Sequence, residues 1–536
     1  MPRSRFPLWS LLLLALPLGP AAADTLVTTH GRVLELRKAR EEGDMYRLEF
    51  EAGVVLCPKE HVASVEIEGD MSDYVPKDER ERDFLEQGYV RYAGKWMSKP
   101  AYEVELRRRA EERRERTAEL AAHASFADGW TLETRRFVFR TNTSPELLTY
   151  YSDLLEAYYA LMDDVIGIDP TPSMRRTKMQ VNVYKSQAEL IRYANDPEID
   201  DSVLGYFWAG GKSLNFYHDW KDPELSTATA LHECTHLLTY LIDQEFWPPI
   251  WINEGVADYY GYSGVEVDER GKVRIEPGET KLAEVFTVQS AAREGRHVPL
   301  ADLFLVEPQD FDGFHYSHAW SFVYFLEHTP RYQKPFRRFF KDLYGLDLKR
   351  VDVETLDDYD GKTGVVKRYS PEQVRDALLK ALKVKELGEL EEEWLAFVDA
   401  VEVDGPLARF ERGYSAMVYG SGTAEQALED LDVAIAAGID DPRAYWTRAL
   451  ARVGLDDWQG AVVDIRRATE LAPLDPLYRA ELAWALSGWW GEGELVGTPE
   501  ELDEGLVQLG LAAELDPQNA EYEELLEKYR ALHAAR

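Results

Sequence analysis

The segment His232-Glu233-Cys234-Thr235-His236 sets two imidazoles four residues apart, with a carboxylate beside the first. On an α-helix, residues i and i+4 share a face, so both rings can reach one metal ion. Glu233 is then placed to act as general base toward a water activated by that ion. Glu254 follows His236 after seventeen intervening residues and is the natural third ligand. Asp258 comes one helical turn after Glu254, where its carboxylate can brace a ligating histidine. Two imidazoles and one carboxylate, with a fourth position left for water or substrate, describe a catalytic site for one zinc ion.

A bare H-E-x-x-H also arises by chance, and ordinary histidines on a core helix are the plain alternative. The flanking residues favour the site. Ala228-Thr229-Ala230-Leu231 and Leu237 to Ile242 make one buried helix around the motif. Pro248-Pro249 enforce a turn, because proline lacks a backbone donor and restricts its predecessor. Trp251 to Tyr260, which carries Glu254 and Asp258, opens a second helix.

His232-Glu233-x-x-His236 together with Asn253-Glu254-Gly255-x-Ala257-Asp258 resembles the gluzincin zinc metallopeptidases, and most of all their peptidase MA-like branch. The resemblance covers about residues 126 to 400 and is strongest from 228 to 260. It implies His232, His236 and Glu254 as zinc ligands, Glu233 as catalytic base, Asp258 as the partner of a ligating histidine, and a peptide or protein substrate. The Gly-x-Met-Glu-Asn element of many aminopeptidase gluzincins is absent. Tyr316 follows Glu254 at a distance similar to that of the gluzincin tyrosine that donates to the developing oxyanion, and His318 is an alternative donor. A packed aromatic helix start is the other reading of Tyr316. By the same resemblance, Ser213 to Tyr217 could form the edge of the cleft and pair with an extended peptide. An internal strand without ligand is the equal alternative.

The rest of the chain must position these groups. Its 536 residues exceed one core and imply several domains. Lys and Arg number 61 against 98 Asp and Glu, a formal charge of −37 that repels phosphate and excludes nucleic acid as partner. Residues 1–23 read as an export signal: Arg3 and Arg5, an apolar run Leu8 to Leu18, then Ala21-Ala22-Ala23. That run is too short to span a bilayer comfortably, and no other segment is long and apolar enough. The expected location is periplasmic or secreted, with no membrane segment once the signal is removed. Cys57 and Cys234 are expected to be free thiols, neither of them a ligand.

Residues 24–70 alternate weakly between turns at His30-Gly31-Arg32 and Glu42-Gly43-Asp44, and predict a five-stranded SH3-like barrel. Residues 71–125 read as a connector ending in a charged helix from Pro100 to His123. Residues 126–405 form the zincin-like domain. Residues 406–536 repeat: Ala427 and Ala461, like Ala434 and Ala468, lie 34 apart, and Asp430 matches Asp464. That period resembles tetratricopeptide repeats, with an insertion expected at Gly491 to Thr498. The array could bind a protein partner or only cap the neighbouring domain. The expected architecture is thus α+β and multidomain: a small β barrel, a gluzincin-like catalytic domain and all-α repeats. The competing reading is an exported scaffold without catalysis, whose metal site is degenerate or structural.

Overall fold

The computed structural model of the protein describes residues 24–28, 33–67, 71–72, 74–92, 94–168, 177–194, 199–200, 203–219, 222–244, 246–268, 271–345, 352–356, 364–489, 493–517 and 519–535. The expected signal at 1–23, the turn at His30–Arg32 and the start of the expected insertion at Gly491 lie outside these residues. The chain is multidomain, with small N-terminal sheets, a central domain and many C-terminal helices. It divides into two compact units. One is His123–Asp404. The other joins the chain up to Ala122 with Gly405–Arg536.

The N-terminal module has six strands: β1 (Asp24–Thr28), β2 (Val33–Leu36), β3 (Lys38–Glu42), β4 (Met45–Glu49), β5 (Val54–Pro58) and β6 (Val62–Glu66). They make two three-stranded sheets, ordered β2-β1-β6 and β3-β4-β5, and no barrel closes among the described residues. The sixth strand arises because the chain changes sheet at Arg37. The polar run Lys38–Glu42 then pairs with β4 through the tight turn at Gly43, which takes φ +61°. Leu26, Leu34, Leu36, Leu48, Val55 and Cys57 fill the core between the sheets. Next come α1 (Glu79–Glu86), the hairpin β7 (Tyr89–Tyr92) and β8 (Lys95–Ser98), and the 24-residue helix α2 (Lys99–Ala122).

The central domain begins with β9 (Trp130–Glu133), β10 (Phe137–Thr141), α3 (Pro145–Ile166), β11 (Met179–Tyr184), α4 (Gln187–Ala194), β12 (Gly205–Trp208) and β13 (Ser213–Tyr217). The five strands form a mixed sheet ordered β12-β13-β11-β10-β9, with β10, β11 and β13 parallel. Ser213–Tyr217 is therefore internal, paired on both sides, and the free edge beside it belongs to β12. Of the two readings of Ser213 to Tyr217, cleft edge or internal strand, the structure gives the internal one. Strand order is set by tertiary pairing, which local sequence does not encode.

Helices α5 (Pro223–Tyr240) and α6 (Ile250–Gly261) follow. Asp222 caps α5 by accepting from the Leu225 amide, and α6 starts directly after Pro249. Then come the hairpin β14 (Gly264–Val267) and β15 (Val273–Glu276), α7 (Leu282–Arg293), α8 (Leu300–Leu303), α9 (Gly313–His328), α10 (Pro330–Gly345), β16 (Asp352–Leu356), β17 (Gly364–Arg368), α11 (Pro371–Leu382) and α12 (Leu387–Asp399). Two glycines let these helices approach closely. A Cβ on Gly261 would lie 3.0 Å from the His232 Cβ, and one on Gly255 would lie 2.8 Å from the Ala319 carbonyl oxygen of α9.

The C-terminal helices are α13 (Pro406–Val418), α14 (Ala424–Ala436), α15 (Pro442–Gly454), α16 (Trp458–Leu471), α17 (Pro476–Ser487), α18 (Pro499–Leu515) and α19 (Ala520–Ala534). The 34-residue period falls on α14 and α16. Ala427, Leu431 and Ala434 match Ala461, Ile465 and Ala468, and all six are fully buried. Asp430 takes Arg409 and Arg412, and Asp464 takes Arg448 and Arg452. Within the same unit, the β module packs its open end on α18. Leu511 and Leu515 enter its core, and the Glu514 carboxylate accepts from the backbone amides of Glu51 and Ala52.

In the central domain Glu156 of α3 ties the helix to the sheet. Its carboxylate accepts from the Thr134 hydroxyl at 2.7 Å, the Arg136 amide at 2.9 Å and the Arg136 guanidinium at 2.6 Å. Burial alone would raise this carboxyl, but those donors hold it below its ordinary value. A depressed carboxylate contributes stability above its unfolded pKa and loses it as pH falls through the folded one. Glu156→Gln should therefore cost about 1–3 kcal/mol at pH 7. The gap between variant and wild type should close below about pH 4 in denaturant titrations.

Candidate metal centre

His232 and His236 lie on α5, and Glu254 and Asp258 lie on α6. The Gly261 contact brings the two helices together at the height of His232. As a result the Nε2 atoms of the two imidazoles stand 3.1 Å apart, and the Glu254 Oε2 stands 3.4 Å from His232 Nε2 and 3.5 Å from His236 Nε2. A four-coordinate ion with ligand bonds of about 2.0–2.1 Å sets neighbouring donor atoms about 3.3–3.4 Å apart. The observed triangle is that of one tetrahedral face, and two nitrogens and one carboxylate oxygen are a donor set that suits zinc. The residues present fit the ion.

Two of the three groups, His232 and Glu254, are held from behind. His232 Nδ1 lies 3.2 Å from Asp258 Oδ1, which fixes the tautomer that leaves the lone pair on Nε2. Glu254 Oε1 accepts from the Asn253 side-chain amide at 2.9 Å, and Oε2 accepts from the Tyr316 hydroxyl at 3.0 Å. Helix α5 is braced on its far side by α3, where the Tyr158 hydroxyl meets Thr235 at 2.5 Å and the Tyr150 hydroxyl meets Thr227 at 2.9 Å.

The electrostatics favours positive charge at this spot. Burial works against protonation of His232, yet hydrogen bonds to Asp258 and Glu254, with the nearby charge of Glu233, raise the imidazole well above its ordinary value. His236 is raised in the same way, chiefly by Glu254. Burial would raise Glu254, but the two imidazoles hold it well below the carboxylate range. Burial would also raise Asp258, while Lys281 and His232 bring it down to about 2. A place that stabilises protons on two imidazoles stabilises a divalent cation by the same charges, and the cation must displace those protons.

Glu233 follows His232 on α5, and its charge is felt at His232, His236 and Tyr316. Tyr316 sits in the first turn of α9, which Asp312 caps. Burial and the Glu254 charge push its phenol far up, so it stays a donor at any physiological pH. His318 does not join the site. It is fully buried two residues further along α9, donates Nδ1–H to the Phe314 carbonyl at 2.7 Å and packs against Trp394. A two-residue step on a helix turns a side chain to the opposite face, which corrects the expectation of His318 as an alternative donor. Cys57 and Cys234 are both free and buried. Burial pushes both thiols up, Cys57 to about 12, so neither offers a thiolate.

Three groups escaped the sequence. Lys281, Glu284 and Ser317 extend the network beyond Asp258, and their residue types carry no spacing signal. Among the described residues, His232, His236 and Glu254 are the one cluster able to hold a metal ion. No family model matches the chain, and no curated protein matches it.

Asp258→Asn keeps the volume and removes the charge behind His232. It should weaken zinc binding by about 10–100-fold, read by competition against a chromophoric chelator. Equal affinity in variant and wild type would contradict the bracing role.

Proposed function

We propose that the chain is an exported zinc-dependent peptide hydrolase. The observation that carries this reading is the 3.1–3.5 Å triangle of His232, His236 and Glu254, with Glu233 beside it. The resemblance of these residues and of Asp258 to the gluzincin metallopeptidases supports it. Zinc bound there supplies a Lewis acid that polarises a carbonyl and brings the pKa of water toward neutrality.

The protein's own groups divide the remaining work. Glu233 takes the proton of the attacking water on its carboxylate and returns it to the leaving amine nitrogen. Tyr316, whose hydroxyl rests on Glu254 Oε2, donates to the carbonyl oxygen as negative charge gathers on it. Asp258 keeps the His232 ring oriented through its Nδ1. The exposed edge at β12 is where an extended peptide would add as a further strand. Export rests on the residues at 1–23. No helix among the described residues is long and apolar enough to cross a membrane.

A purely structural site would need a fourth protein ligand, and the described residues bring three together, which supports the hydrolase over a scaffold with an inert metal. Glu233→Gln should retain zinc and lose hydrolysis of a proteome-derived peptide mixture by at least about 100-fold. Tyr316→Phe should lower kcat by about 100-fold with zinc still bound. A chelator should abolish cleavage in the wild type. Hydrolysis unchanged in Glu233→Gln would remove the general base from the mechanism, and a wild-type chain that binds no zinc would end the hydrolase reading.

A further inference from the structure

Asp258 has two oxygens, and only one faces His232. The other, Oδ2, accepts from the Lys281 ammonium at 3.1 Å. Lys281 lies 3.8 Å from Glu284 Oε1, and the other oxygen of Glu284 accepts from the Ser317 hydroxyl. The contacts run from His232 through Asp258, Lys281 and Glu284 to Ser317, and Tyr316, next to Ser317 on the same helix, joins Glu254. They draw on α5, α6, α7 and α9.

Lys281 has no local reason to be a lysine. It occupies the N-cap of α7 and makes no capping hydrogen bond there. Ser, Thr, Asp and Asn are preferred at that position, and a cation opposes the helix dipole. What holds it is tertiary. Its side chain is one-fifth exposed, between the ring faces of Tyr262 at 5.6 Å and Trp320 at 5.8 Å, with the carboxylates of Asp258 and Glu284 alongside. Exposed ion pairs are weak, but this ammonium sits in a walled compartment fitted to one cation.

We propose that Lys281 is a positioning residue of the metal centre: its ammonium holds the Asp258 carboxylate that aims His232 and ties it, through Glu284, to Ser317 of α9. Removing the ammonium frees Asp258 Oδ2. Asp258 can then rotate away from His232 Nδ1, and the imidazole loses its aim. The inference rests on the zinc reading of the site.

The test is zinc affinity of the full chain, by chelator competition, in a double-mutant cycle. Lys281→Met is nearly isosteric and removes only the charge. It should weaken zinc about 10-fold. In an Asp258→Asn background the same change should cost less than about 2-fold, because Lys281 acts through Asp258. Wild-type affinity in K281M, or a loss that adds in full to that of D258N, overturns the inference while the zinc reading stands. A wild-type chain that binds no zinc overturns the zinc reading and this inference with it. If K281M does not fold, Ser317→Ala at the far end of these contacts decides: about 3-fold weaker zinc is expected, and unchanged zinc overturns the proposal.

Discussion

A buried carboxylate governs the central domain. Glu254 is 7% exposed and stays ionised, so its charge must be answered from within. An uncompensated buried ion costs several kcal/mol. The answer comes from two imidazoles on α5, a phenol on α9 and the side-chain amide of Asn253. None of these could reach Glu254 unless the helices ran close. Gly261 permits the approach of α6 to α5, and Gly255 permits that of α6 to α9. Backbone without side chain thus sets the distances at which the charged groups act.

The same need for compensation spreads outward. Asp258 answers His232, Lys281 answers Asp258, and Glu284 answers Lys281. Signs alternate along the chain of contacts, so each group is stabilised by its neighbours and none is left as an isolated charge. The neighbouring Tyr260–Glu327–Arg337 contacts follow the same rule beneath α6. Polar order of this kind costs desolvation at each link, and it is tolerated where geometry must be held.

The grouping of His232, His236 and Glu254 was legible in the sequence because much of it is written in helical periodicity. His232 and His236 differ by one turn, and so do Glu254 and Asp258, so local spacing alone puts each pair on one face. Tyr316 was singled out by the resemblance to the gluzincin tyrosine, and its hydroxyl lies on Glu254. Lys281 and Glu284 were not legible: they follow the β14–β15 hairpin, and a Lys three residues before a Glu is common on any surface helix. Strand order failed for the same reason. Ser213–Tyr217 has the composition of an edge or of a core strand, and only its two neighbours decide. The strand Lys38–Glu42 concealed itself because Ala39 is its one apolar residue, and with it the split into two sheets. The 34-residue period was plain, because small residues must recur where helices cross.

The attachment of the β module to α18 has a consequence for assembly. The Glu51 amide and the Glu514 carboxylate that receives it are 463 residues apart. The unit they share is discontinuous, with the central domain inserted into it. A chain emerging from its N-terminus first can finish the central domain while the opening strands still lack the helix that covers them. The β module, made before the central domain, is thus sheltered only after it. Until α18 arrives, Leu26, Leu48 and Val55 lack the cover that Leu511 and Leu515 give them in the folded chain.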